Sequence, residues 1–178
     1  IIQSNGAGIH QNGFAAAKED VRLKAGGKIT LNGGSSDLKG NGVYAKTVEI
    51  NSMGIGSGIE NNAGISSSDK TTFTTDGIFT NNKTISAGAD LKVKAGSFHN
   101  SAPGNLLSLK AMDLEIKEDI ANEGTFLSQN DLKVGGGGNV INQGNIQTEG
   151  KAALTAGKGF NNQGTILSGT KEKAGDST

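Results

Sequence analysis

Four acidic residues crowd one short stretch of this chain: Asp113, Glu115, Glu118 and Asp119. Two carboxyl groups flanking one sugar linkage are what a polysaccharide hydrolase or lyase needs, usually with Arg or Lys alongside. Asp113 and Glu115 lie two positions apart, so they share one face of a strand. The lone arginine, Arg22, is far off in sequence. The reading preferred here is a solvated charged edge, with no catalytic residue assigned. A β-helical carbohydrate-active enzyme is kept as the alternative. His10 and His99 are the only histidines, and neither has a further ligand at metal-binding spacing, so both are read as loop residues. The run Gly135-Gly-Gly-Gly138 lacks the Lys-Ser/Thr and helix of a phosphate loop and reads as a corner between strands. It leads to no Asp and does not recur, unlike calcium-binding nonapeptides. No metal and no cofactor site is expected.

The elements that would hold these residues announce themselves by repetition. Asn61-Asn-Ala-Gly-Ile65, Asn81-Asn-Lys-Thr-Ile85, Asn122-Glu-Gly-Thr-Phe126, Asn142-Gln-Gly-Asn-Ile146 and Asn162-Gln-Gly-Thr-Ile166 follow one plan. The leading Asn advances by 20 from 61 to 81, from 122 to 142, and from 142 to 162. A fixed period of this kind marks a solenoid, whose single coils cannot bury their apolar faces alone.

Two residues before each leading Asn stands an apolar opener: Ile59, Phe79, Ile120, Val140 and Phe160. Phe98, before Asn100, opens a degenerate copy. Alternating pairs follow at Leu91/Val93, Leu114/Ile116 and Leu132/Val134, with Lys92, Glu115 and Lys133 facing solvent. The fold class predicted is all-β, a parallel β-helix of about 20 residues per coil. Roughly nine coils at about 4.8 Å each would stack to about 43 Å. Equivalent side chains then lie over one another. Asn61, Asn81, Asn122, Asn142 and Asn162 are the candidates for a structural amide ladder, of the kind that sets register in stacked strands. Gly124, Gly144 and Gly164 suit a corner that needs positive φ or close backbone approach.

Three regions differ in regularity. Residues 1–58 keep strand pairs (Val21/Leu23, Ile29/Leu31, Val48/Ile50) but lose the period, and read as irregular coils with turn-rich loops. All four Asn-Gly dipeptides, a hairpin-turn signal, begin here, at Asn5, Asn12, Asn32 and Asn41. They leave open distorted coils or coils carrying a hairpin. Residues 59–170 read as regular repeats, and 171–178 as a frayed tail. His99-Asn-Ser-Ala-Pro-Gly-Asn105 reads as a loop. Residues 106–117 fit a short helix or two strands, and the alternation of Leu107/Leu109 and Leu114/Ile116 favours strands.

Composition narrows the function classes. Seventeen basic residues meet seventeen acidic ones with no basic cluster, so nucleic acid is not an expected partner. Cysteine is absent, which removes disulfides and thiolate metal sites. No apolar run approaches transmembrane length, and no signal peptide opens the chain.

The Asn-x-Gly-x-Ile groups, joined by segments such as Ile85-Ser-Ala-Gly-Ala-Asp-Leu-Lys-Val-Lys-Ala95, resemble filamentous haemagglutinin repeats. The likeness spans 59–168 closely and 9–58 loosely. It implies a right-handed β-helix in a large exoprotein secreted by the two-partner route, an adhesin or a contact-dependent growth inhibition effector. It further implies an extracellular or cell-surface location and passage through an outer-membrane transporter. The Asn-Pro-Asn-Gly motif of the secretion domain is missing, since Ala102 precedes the only proline, Pro103. The expectation is an interior, non-catalytic stalk segment, a rigid spacer, monomeric and not inserted in a membrane. A cell-surface receptor or glycan is its expected partner, met at residues 33–42, 51–58 or 99–105. A trimeric autotransporter head is a further rival, though its repeats run shorter.

Overall fold

The structure is a computed structural model that describes residues 1–33 and 42–169. Every described strand pairs in parallel, in three sheets of eight strands. The first sheet collects Ile2–Ser4, Asp20–Ala25, Thr47–Ser52, Thr71–Thr75, Leu91–Ala95, Met112–Ile116, Leu132–Gly136 and Ala152–Ala156, and these begin coils 1 to 8 in turn. Each coil then crosses the second and third sheets. Coil 6, for example, continues through Ile120–Asn122 and Thr125–Ser128. The chain is therefore a β-solenoid of about 20 residues per coil.

Alternation explains the strands. In Leu91–Ala95 the burial alternates, with Leu91, Val93 and Ala95 inside and the two lysines outside. Stacking then makes columns. Ile9, Ile29, Ile59, Phe79, Phe98, Ile120, Val140 and Phe160 lie one above the next in the second sheet. Four phenylalanines run through the centre. Phe73 and Phe79 have ring centroids 4.7 Å apart, Phe79 and Phe98 5.2 Å, and Phe98 and Phe126 6.0 Å. Such contacts add about 0.5–1.5 kcal/mol each beyond area burial.

Several expectations are corrected. Eight coils, not nine, are described, so the stack is about 38 Å high at about 4.8 Å per coil. The early coils use more residues: Ile29 pairs with Ile59, thirty positions on. Leu114 aligns with Val93, and Met112 with Leu91, so the pair Leu114/Ile116 sits one step out of phase with Leu91/Val93. Residues 105–108 form a strand, but it is Leu106 that points inward, over Ile85 and under Phe126. Leu107 faces outward and Leu109 is exposed, because the register of the neighbouring coils decides the phase. Both histidines lie in strands, His10 in Ile9–Asn12 and His99 in Ser97–Asn100. Of the 99–105 segment, only 101–104 is a turn. Asn12 and Asn32 end strands that pair in parallel, so neither opens a hairpin. Asn41 and the tail 171–178 fall outside the described residues.

Candidate functional site

The repeated Asn-x-Gly group becomes legible once the coils are stacked. Asn61 donates from Nδ2 to Oδ1 of Asn81 at 2.8 Å. Asn81 donates to Asn100 at 2.9 Å, and Asn100 to Asn122 at 2.8 Å. Asn122 donates to Asn142, and Asn142 to Asn162, at 2.7 Å each. The column is continuous through coils 3 to 8, and from Asn61 to Asn142 its members are buried. Asn100 stands in this column although the five-membered sequence pattern leaves it out. Its spacing, 19 from Asn81 and 22 from Asn122, hides it from a search at a period of twenty, although Phe98 two positions before it was a signal.

The second amide hydrogen is used within the same coil. Asn122 Nδ2 also donates to the carbonyl of Gly124, Asn142 to that of Gly144, and Asn162 to that of Gly164. Gly104, Gly124, Gly144 and Gly164 form their own column, and a Cβ on Gly124, Gly144 or Gly164 would collide with the carbonyl of the glycine below. Close backbone approach is thus the reason for these glycines. Among the described residues the positive-φ glycines are Gly13, Gly54 and Gly56 instead.

A second ladder runs outside. Asn32 Nδ2 donates to Asn12 Oδ1 at 3.0 Å, Asn62 to Asn32 at 3.1 Å, and Asn82 to Asn62 at 2.7 Å. Farther along, Gln143 Nε2 donates to Gln163 Oε1 at 3.2 Å.

The acidic stretch is tied up in neighbours. On the outer face of the first sheet Glu115 meets Lys94 at 2.7 Å and Lys92 at 3.3 Å, and Asp113 meets Lys92 at 3.3 Å. Glu118 accepts from the Ser97 hydroxyl at 3.0 Å, and Asp119 accepts from the Asn139 backbone N–H at 2.6 Å. The Lys94 hydrogen bond, followed by that of Lys92, outweighs desolvation and lowers the Glu115 carboxyl to about 2. A general acid needs the opposite shift, so that it still carries a proton near neutral pH. The arrangement suits an ionised cross-strand network instead. Of the glycine run, Gly135 and Gly136 end a strand and only Gly137 and Gly138 turn the corner. A Cβ on Gly138 would strike the Asp119 carboxylate.

Among the irregular places, residues 53–57 stand out most. Gly54 (φ 120°) and Gly56 (φ 73°) flank Ile55, whose side chain is wholly exposed. From this turn Met53 lines a groove of about 480 Å³, together with Thr75, Asp76, Lys94, Glu115 and Lys117. Lys117 in coil 6 reaches Asp76 in coil 4 at 2.9 Å, passing a corner where coil 5 has only Gly96. The segment 33–42 lies outside the described residues except at its two ends.

Among the described residues no three His, Cys, Asp or Glu side chains gather as a metal site would require. No helix among them is long and apolar enough to cross a membrane.

No curated protein and no solved structure matches the chain. The haemagglutinin repeat model matches it twice, over residues 2–52 and 46–172. Repeats of this kind belong to secreted, surface-exposed adhesins and carry no enzymatic activity of their own. Stacked coils, columned asparagines and this coverage agree: the chain belongs to the haemagglutinin repeat family.

Proposed function

We propose that this chain is a rigid, non-catalytic stalk segment of a large bacterial exoprotein, set outside the cell or on its surface. The observation that carries the reading is the set of three parallel ladders running unbroken through eight coils. Their backbone bonds lie along the axis, and the inner amide ladder ties six consecutive coils by side chains as well. Bending such a rod means lengthening several hydrogen bonds at one level together. A rod of this kind keeps distal parts of a longer protein away from the membrane that secreted it. Export by the two-partner route, through an outer-membrane transporter, fits the repeat family. The same shaft would serve an adhesin or a growth-inhibition effector.

Spin labels at Lys24 and Thr155 test the stiffness. Both face outward on the first sheet, six coils apart, or about 29 Å at about 4.8 Å per coil. One narrow distance peak is expected. A distribution as broad as that of a flexible linker would defeat the spacer reading. Contact with a cell-surface receptor or glycan belongs, in this proposal, at the groove beside residues 53–57. Cell binding unchanged by Ile55→Asp together with Met53→Asp would remove that part and leave the spacer intact. The segment acts as a monomer, and sedimentation at 18 kDa would agree with this.

A further inference from the structure

The Asn-Gly dipeptides carry a chemistry that the stalk does not use. In such a pair the glycine nitrogen can attack the asparagine Cγ, since no Cβ shields it. A C–N bond forms, the Cγ–Nδ2 bond breaks, and ammonia leaves. Water then opens the five-membered imide at either carbonyl and gives aspartate or isoaspartate. The step needs a free glycine N–H, a backbone that can bring it onto Cγ, and a polarised side-chain carbonyl.

Three described pairs differ in these respects. Asn12 and Asn32 each end a strand, with their amides in the outer ladder. The glycines that follow are held too: Gly13 N–H donates to the Asn32 carbonyl at 3.0 Å, and Gly33 N–H to the Asn62 carbonyl at 3.3 Å. Asn5 lies in an exposed bend after Ile2–Ser4. Among the described residues Gly6 N–H donates to no carbonyl, and a Cβ on Gly6 would meet nothing within 4 Å. Asn5 Oδ1 accepts from Gln3 Nε2 at 2.7 Å, which draws electrons from Cγ and steadies the charge that builds on that oxygen during attack. Among the described residues its Nδ2 leaving group is tied to no neighbour.

We propose that Asn5 is a self-modifying site. Its amide cyclises onto the Gly6 nitrogen and hydrolyses to aspartate or isoaspartate, with Gln3 activating the reacting carbonyl. The same dipeptide at Asn12 and Asn32 is kept inert by the ladder. The product adds one negative charge to a chain of net zero charge. In the isoaspartyl form the extra backbone carbon falls in the turn after the first strand and not in a ladder.

Peptide mapping by mass spectrometry after incubation of the purified chain in mildly alkaline buffer tests this. In the folded chain Asn5 should convert about ten- to a hundredfold faster than Asn12 or Asn32, the factor set by first breaking about two hydrogen bonds at those sites. In urea the three rates should converge, because the protection belongs to the fold. Gln3→Ala should slow Asn5 severalfold and leave the other two unchanged. Asn12 or Asn32 converting as fast as Asn5 in the folded chain would overturn the proposal. An unaltered Asn5 rate in Gln3→Ala would overturn the role of Gln3.

Discussion

Coils 1–3 and coils 4–8 hold the same register with different residues. From coil 3 upward the column that starts at Asn61 is polar, and its amides lie inside. Below it the column continues as Leu31 and Gln11, so coil 2 is apolar at the same point. There the amides move one residue along, to Asn12 and Asn32, and therefore to the outer face. The doubled asparagines Asn61-Asn62 and Asn81-Asn82 are where the two ladders overlap, since each pair supplies one amide to each. Spacing differs as well. The later coils advance by about twenty residues, whereas Leu23 aligns with Ile50, twenty-seven positions on. The comparison teaches that the fold needs strands in register, not coils of equal length. The extra residues at 53–57 leave at a corner, and an amide ladder on either face can hold the alignment.

The largest effect expected comes from the core, where the two regions differ in filling. Phe98→Ala should cost about 3–5 kcal/mol and Leu31→Ala about 2–5 kcal/mol, read from denaturant unfolding. Only the first breaks the aromatic run that links Phe79 to Phe126. Hydrogen exchange should then open coils 4–6 in the phenylalanine variant, and coils 1–3 in the leucine variant. Uniform loosening in both would show that the stack melts as one unit.

The two ladders separate next. Asn100→Ala leaves the Asn81 amide and the Asn122 carbonyl unpaired and buried. A cost of at least about 2 kcal/mol follows from about 1–3 kcal/mol for each of the two orphaned groups. Asn12→Ala, at the exposed end of the outer ladder, should stay within about 0.5 kcal/mol. Equal costs would refute the distinction between inner and outer ladders.

Acid should touch the charged face of the later coils. The folded-state carboxyl of Glu115 lies below its ordinary 4.5, at about 2, chiefly through Lys94. Its stabilising contribution is therefore complete above the ordinary value and fades as pH falls toward the lowered one. The group is more than a third exposed, so the effect on stability is small. Titration followed by NMR should place Glu115 low in the native chain and nearer 4.5 in Lys94→Ala. The smallest effect belongs to the turn at 53–57. Shortening it to the Asp76-Gly77 corner of coil 4 should change stability by less than about 1 kcal/mol, because few of its backbone groups are bonded elsewhere. A larger loss would mean that this turn supports the coils beneath it.

Much of the fold was readable because a solenoid writes its geometry into the chain. Apolar openers such as Phe79 and Val140 recur at the period, and period-two alternation gives the inward face of 91–95 unaided. The phase of 105–108 was not readable. The apolar alternation within the segment is Leu107/Leu109, yet Ile85 and Phe126 in adjacent coils bring Leu106 inward instead. The acids were visible as a cluster, but their state was not, since Lys92 and Lys94 lie more than twenty positions before the carboxylates they meet.

What the chain by itself determined was the period, the parallel stacking and the asparagines at 61, 81, 122, 142 and 162, because identical side chains at a fixed interval can satisfy one another only when coils lie in register. Stacking alone fixes how the irregular spacings are absorbed: Asn100 enters the inner column, Asn12 and Asn32 build an outer one, and Gly124, Gly144 and Gly164 serve close carbonyl contacts. The physical reason is that a column belongs to neighbouring coils and not to neighbouring residues. Its members are fixed by backbone hydrogen bonds between coils, which local sequence does not contain.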